Sequence, residues 1–275
     1  MVNHTMPTTP ISHSILATLA ITSGVMSAQS ATADESAADL AKKLSNPIAA
    51  LISVPLQNNF LFNAGPGDGF RETTNIQPVI PFDLNEHWNL ISRTILPVTY
   101  QEGIFPGSGH QFGLGDTVQS LFFSPKSTDS FISGVGPAFL IPTATDDLLG
   151  GGKWGAGPTG VILKQSGPWT YGVLANQIWS FAGSDNREDV NATFIQPFLS
   201  YTTKSATTFT VNSESTYDWQ GRQWTMPFNA GVSQLLKLGG QPVSIGLMGT
   251  WYAEAPAGAP DWGIRFVFTF LFPKS

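Results

Sequence analysis

The chain has 275 residues, of which 12% are charged, 41% hydrophobic and 12% aromatic, whereas an ordinary soluble domain carries about 25% charged residues. Its formal net charge is -6 and its 13 Lys and Arg are scattered, so no basic stripe marks it for nucleic acid. The absence of cysteine excludes disulfides, thiolate metal sites and cysteine nucleophiles. No stretch after residue 33 reaches the roughly eighteen apolar residues of a spanning helix, so a membrane crossing here must be made of strands.

Ile15 to Met26 is an apolar run of signal-peptide length, and Ala31-Thr32-Ala33 supplies a small-residue cleavage site. Residues 1–33 therefore read as a signal peptide cleaved after Ala33, with Ala28 as the other site, although the n-region has no Lys or Arg. Residues 34–49 read as an N-terminal helical segment. Asp34 and Glu35 open it, Lys42 and Lys43 close it in the sense of the helix dipole, and Asn46-Pro47 stops it. Ala37, Leu40, Ala41 and Leu44 share one face, as expected of a plug or latch at a barrel mouth; the alternative is a mobile tail.

From residue 50 onward the sequence alternates with period 2 between turn-rich breaks, which predicts strands over 51–63, 70–82, 88–100, 113–125, 131–143, 154–165, 169–181, 190–203, 207–219, 223–236, 242–254 and 261–272. Tight turns at 83–87, 126–130, 166–168, 204–206 and 238–240 alternate with longer, Gly- and Asp-rich connections around 65–69, 101–112, 144–153 and 182–189. This alternation fits outer-membrane barrels, with both termini in the periplasm.

The last strand carries Trp262, Ile264, Phe266, Phe268, Phe270 and Phe272 on one face, and small or polar residues including Arg265 and Thr269 on the other. About eleven such residues suit a spanning strand. Elsewhere Gln57, Asn59, Arg71, Thr73, Asn75, Gln77, Thr208, Thr210, Asn212 and Asn229 make the second face polar but mostly uncharged, a wet lumen in character. Trp88, Trp169, Trp179, Tyr201, Trp219, Trp251 and Trp262 fall near strand ends, where an aromatic girdle lies. The fourth and eighth strands have ambiguous parity, and the pattern assigns no faces to them.

The blocks LAKKLSNPIAALISVPLQNN (40–59), NLISRTILPV (89–98), GLGDTVQSLFFSP (113–125), GVGPAFLIPTATD (134–146), WTYGVLANQIWSFAG (169–183) and the closing WGIRFVFTFLFPK resemble the phenol-degradation meta-pathway transporter-like family of outer-membrane proteins, whose members are often labelled "transporter" or neuromedin U. The resemblance spans the mature chain. It implies an outer-membrane barrel that passes small, often hydrophobic compounds, and it carries over no catalytic residues. The chain ends Phe272-Pro273-Lys274-Ser275 where barrels of this kind commonly end on an aromatic.

No catalytic constellation emerges from the sequence. After residue 33 the only histidines are His87 and His110, each in a predicted connection, and Gly107-Ser108-Gly109 lacks the spacing of a nucleophile elbow. GGGKWG at 150–155 lacks the phosphate-loop spacing. The acidic residues of the outer connections read as solvated, so neither a metal nor a cofactor is expected. Interior charges are the stronger candidates. Arg93, Arg265 and Glu214 fall on lumen-facing parity, where a guanidinium must be hydrated or paired; Glu214 is the carboxylate that can pair with one of the two, and Arg265 falls near Gln57 and Asn59 if the barrel closes. Such charges either form a constriction that sets solute preference or buttress a filled lumen.

The resulting expectation is an all-β, antiparallel transmembrane β-barrel of about 12 strands over residues 50–275, with a short N-terminal helix, in a bacterial outer membrane. It is expected to be a monomer, to contact outer-membrane lipid and lipopolysaccharide, to bind no nucleic acid, and to pass a small-molecule solute of hydrophobic or aromatic character without enzymatic chemistry. A structural or adhesion barrel is the alternative, and a barrel hydrolase the third reading.

Overall fold

The computed structural model describes residues 36–127 and 130–273; the predicted signal peptide and residues 34–35 lie outside them. Among the described residues one helix, α1 (Ala37–Leu44), precedes twelve strands: β1 (Ile52–Ala64), β2 (Gly69–Ile76 continued by Val79–Asp83), β3 (Trp88–Glu102), β4 (His110–Leu114 continued by Thr117–Pro125), β5 (Ile132–Ile141), β6 (Lys153–Ser166), β7 (Trp169–Gly183), β8 (Asn191–Thr202), β9 (Thr207–Ser213 continued by Ser215–Asp218), β10 (Gln223–Leu238), β11 (Gln241–Glu254) and β12 (Trp262–Phe272). Each strand pairs antiparallel with the next, and β12 returns to β1 in a register running from Ile52↔Phe272 to Phe62↔Trp262. The sheet closes on itself, which leaves no unpaired edge.

The strands coincide with the predicted ones to within a few residues. Their turns explain the register. Gly239 and Gly240, at φ 57 and 90, make the two-residue turn between β10 and β11, a conformation that glycine adopts without steric cost. The connections at that end of the barrel, which also holds both ends of the described chain, are short; those at the far end include 103–109, 142–152 and 184–190.

Outward positions are apolar. Phe228, Val232, Leu247, Ile264 and Phe266 are exposed in a continuous band, bounded near the long-connection end by Trp154, Trp179, Trp219, Trp251 and Trp262 and at the short-turn end by Trp88 and Trp169. Rings stack within this girdle, as in Phe62 on Trp262 at 4.4 Å and Trp169 on Tyr201 at 4.8 Å. Polar groups interrupt the band: on the outward face Asn58 Nδ2 donates to Glu72 Oε1 at 3.1 Å and Thr94 Oγ1 to Gln119 Oε1 at 2.6 Å.

The interior has two unlike arcs. Along β1, β2 and β9 to β12 the inward side chains are amides, hydroxyls and charges, including Asn59, Thr208, Asn229, Thr250 and Arg265. Along β3 to β8 the inward face carries an apolar cluster, Ile91, Phe122, Val161, Leu163 and Leu174, against which Phe194 and Phe198 pack, interspersed with polar groups such as Arg93, Gln101, Ser120 and Thr159. Ile48, from the segment between α1 and β1, inserts into this cluster. Gly134 makes room for it, since a Cβ there would sit 3.1 Å from Ile48 Cδ1 and 3.2 Å from Phe122 Cβ.

The two ambiguous strands have different causes. In β4, Gly113 opposes Thr99 and Val118 opposes Ile95, so β4 advances one residue more than its partner and the bulge at Gly115-Asp116 reverses parity. In β8 the register is regular, but Phe194 and Phe198 point into the apolar arc, so both faces of the strand carry aromatics.

Candidate functional site in the barrel lumen

The helix closes the short-turn end. Ser36 caps it by accepting from Asp39 N at 3.1 Å, and its apolar face, Leu40 and Ala41 with Leu44, packs on Leu51, Ala206, Leu235 and Leu271. Gln165 Nε2 donates to Lys42 O at 2.8 Å, tying the helix to the end of β6. Asp39 supplies the first-turn acid of the observed helix.

Beyond the helix lies a cavity of about 260 Å³, lined by Ala41, Leu44 and Pro47 below and by inward residues of β1, β2, β3 and β8 to β12 around it. Further toward the long-connection end, side chains from three distant strands meet. Arg265 (β12) donates through Nε to Asn59 Oδ1 (β1) at 2.7 Å, and through Nη1 and Nη2 to the two carboxylate oxygens of Glu214 at 2.8 Å each. This forked geometry is the strong form of an arginine–carboxylate pair. The side chains are 8% and 23% exposed, so the pair is shielded yet in reach of lumenal water.

Backbone chemistry places Glu214. It falls between the two segments of β9, where the ladder lapses on both sides: Phe198↔Asn212 gives way to Ile195↔Ser215, and Ser213↔Phe228 to Thr216↔Thr225. Pro197 and Pro227 stand opposite this gap, and proline has no N–H to offer a neighbouring strand. Glu214 N turns instead to Pro227 O at 3.3 Å. The neighbouring prolines were visible in the sequence; only the register shows that they flank one residue.

Of the three interior charges singled out from the sequence, Arg265 and Glu214 thus form one pair. Arg93 stands apart from it. Its Nη2 donates to Gln77 Oε1 at 3.3 Å, and it makes no ion pair among the described residues. It borders the cavity. Gln196 lies between the two, its Nε2 3.5 Å from Glu214 Oε1. Two further participants were read as lumenal in the sequence: Asn59, expected near Arg265 and found as its acceptor, and Arg71, which donates to Gln101 at 2.9 Å and had no partner assigned.

The long connections cover the other mouth. Leu148 O accepts from the inward Gln101 at 3.4 Å, Asp116 accepts from the backbone of Ala144 and Gly151, and Arg187 donates to the carbonyls of Asp147 and Gly150. In the 184–190 connection Asp189 accepts from Lys153 Nζ at 2.9 Å, and this hydrogen bond holds its carboxyl below the usual carboxylate range.

No family model matches this sequence, and no curated protein does. Among solved structures the barrel is similar to a COG4313 outer membrane channel from Pseudomonas putida F1, at 16% identity over 82% of this chain and 96% of that one, with a TM-score of 0.64. What the two share is the fold. Outer membrane phospholipase A from Escherichia coli (10% identity, 88% of this chain and 99% of that one, TM-score 0.45) and its dimeric Salmonella typhi counterpart with bound calcium (10%, 87% and 98%, TM-score 0.43) are more distant likenesses. The chain is a closed twelve-stranded barrel resembling an outer-membrane channel, and its apolar outer band suits a bacterial outer membrane.

Proposed function

We propose that this chain is a monomeric outer-membrane channel for passive passage of small hydrophobic or aromatic solutes, its short turns and α1 facing the periplasm and its outward band contacting lipid and lipopolysaccharide. The observation that carries the reading is the interior itself: a polar arc and a cavity on one side, a charged layer across the middle, and a helix seated in one mouth. Such a lumen selects by charge at the Arg265–Glu214 layer and by size at the helix. Neither described histidine has a hydrogen-bonded serine; His110 stacks on Tyr100 and His87 lies in the turn before β3, which favours transport over hydrolysis. The test is single-channel conductance of refolded residues 34–275 in a planar bilayer, compared with the chain beginning at Asn46. Discrete steps that grow on truncation are expected. The apolar cluster filling one arc favours a second reading, a structural barrel, and a folded, heat-modifiable barrel that never conducts in either form would establish it over the channel.

A further inference from the structure

The cavity between α1 and the charged layer is chemically lopsided. Around most of its wall the groups are hydroxyls, amides and apolar side chains, and Arg93 is the single ionisable residue that lines it. The nearest carboxylate, Glu214, is already committed to both terminal nitrogens of Arg265. Glu214 lies within electrostatic reach of Arg93 as well, but one carboxylate set against two guanidiniums leaves a net positive charge, and its hydrogen bonds go to Arg265. A guanidinium screened from bulk water by a helix on one side and an ion pair on the other seeks an anion. Its planar fork suits the two oxygens of a carboxylate better than a spherical ion.

The surroundings of Arg93 define the rest of the occupant. Phe198, Met248, Val267 and Leu44 offer an apolar wall, while Gln77, which already holds the guanidinium, and Gln196 offer polar groups beside it. The volume of about 260 Å³ equals that of about nine water molecules at their share of the liquid, ~30 Å³ each, enough for one ring and its acid group. We infer that this cavity binds a small monocarboxylate with an aromatic or compact apolar body, its carboxylate on Arg93 and its ring against Phe198 and Val267. The inference rests on the channel reading for its purpose, since the site would be the resting point of a solute in transit, but not for its existence.

Calorimetric titration of the full refolded chain in detergent, with benzoate as probe and benzyl alcohol as its uncharged counterpart, tests it. Benzoate is expected to saturate at one site and to bind about tenfold or more tighter than benzyl alcohol, the difference a charge-assisted pair supplies. Arg93→Gln should remove that advantage. Equal binding of the two probes, a heat of benzoate that never saturates, or full benzoate affinity in Arg93→Gln would overturn the proposal. Should Arg93→Gln fail to give a heat-modifiable barrel, Arg93→Lys replaces it: it keeps the charge and loses the fork, so benzoate is expected to weaken about threefold or more, and unchanged affinity counts against the site. Saturable benzoate binding by a barrel that never conducts would keep the site and remove the channel; conductance without saturable benzoate binding would do the reverse.

Discussion

The two arcs of the interior are built from the same kind of strand and do opposite work. Within β3 to β8 the inward cluster is packed as a soluble core is packed, with Phe122 and Ile91 at 0% exposure. On β1, β2 and β9 to β12 the inward face is held by hydrogen bonds between side chains, such as Thr250 to Asn229 at 2.7 Å and Asn229 to Asn212 at 2.8 Å. A closed barrel needs no core for its backbone bonds, since the ladder satisfies them all the way round. The apolar arc is therefore free to supply rigidity and to anchor Ile48, while the polar arc lines the cavity through residues such as Thr208, Thr210 and Asn212. On the channel reading, one side makes the wall firm and the other lines the path.

If that division holds, the largest effect should come from Phe122→Ala. Emptying its fully buried site should cost about 3–5 kcal/mol, read as a lower urea midpoint for unfolding from detergent, with ion selectivity unchanged. Glu214→Gln should come next. It strips Arg265 of its counter-charge, costing about 2–3 kcal/mol because the pair is partly wetted, and it should move the reversal potential toward anion preference. A change in selectivity from Phe122→Ala, or none from Glu214→Gln, would break the comparison. Gly134→Val is smaller, about 1–3 kcal/mol, because its branches would press on Ile48 and Phe122; single-channel traces should show more frequent openings as Ile48 is displaced.

The smallest effect is the pH dependence of the outer loops. Since Lys153 depresses the Asp189 carboxyl, that contact stabilises above the ordinary carboxylate range and is lost as pH falls through the depressed value. Asp189→Asn should thus differ slightly from the parent near neutral pH in protease nicking of the 184–190 connection, and the difference should vanish in strong acid.

How far this was legible in the amino-acid sequence follows the same division. Alternation revealed every strand, because a wall with lipid on one side and a wet lumen on the other imposes period 2. It served the polar arc well: Arg265 and Glu214 could be placed inward from parity alone. It failed on β8, where Phe194 and Phe198 serve an interior as apolar as the exterior, and on β4, where a single extra residue reverses the faces without a hydrophobic signature. Pairing across the lumen was legible in part: Glu214 was a candidate partner for either arginine, but parity does not say which one it takes. Arg265 and Glu214 are joined by the curvature of the whole sheet, while Arg93, equally inward, meets Gln77 instead.

The meeting of Arg265 with Asn59 joins the last strand to the first. A ribosome delivers those two residues at opposite ends of its work, and Glu214 between them. Glu214 and Arg265 both lie on the β9 to β12 part of the sheet, but the hydrogen bond to Asn59 comes into being only when the final seam closes. That bond thus reports on completed assembly, and a half-built barrel in the membrane would lack it together with its last wall.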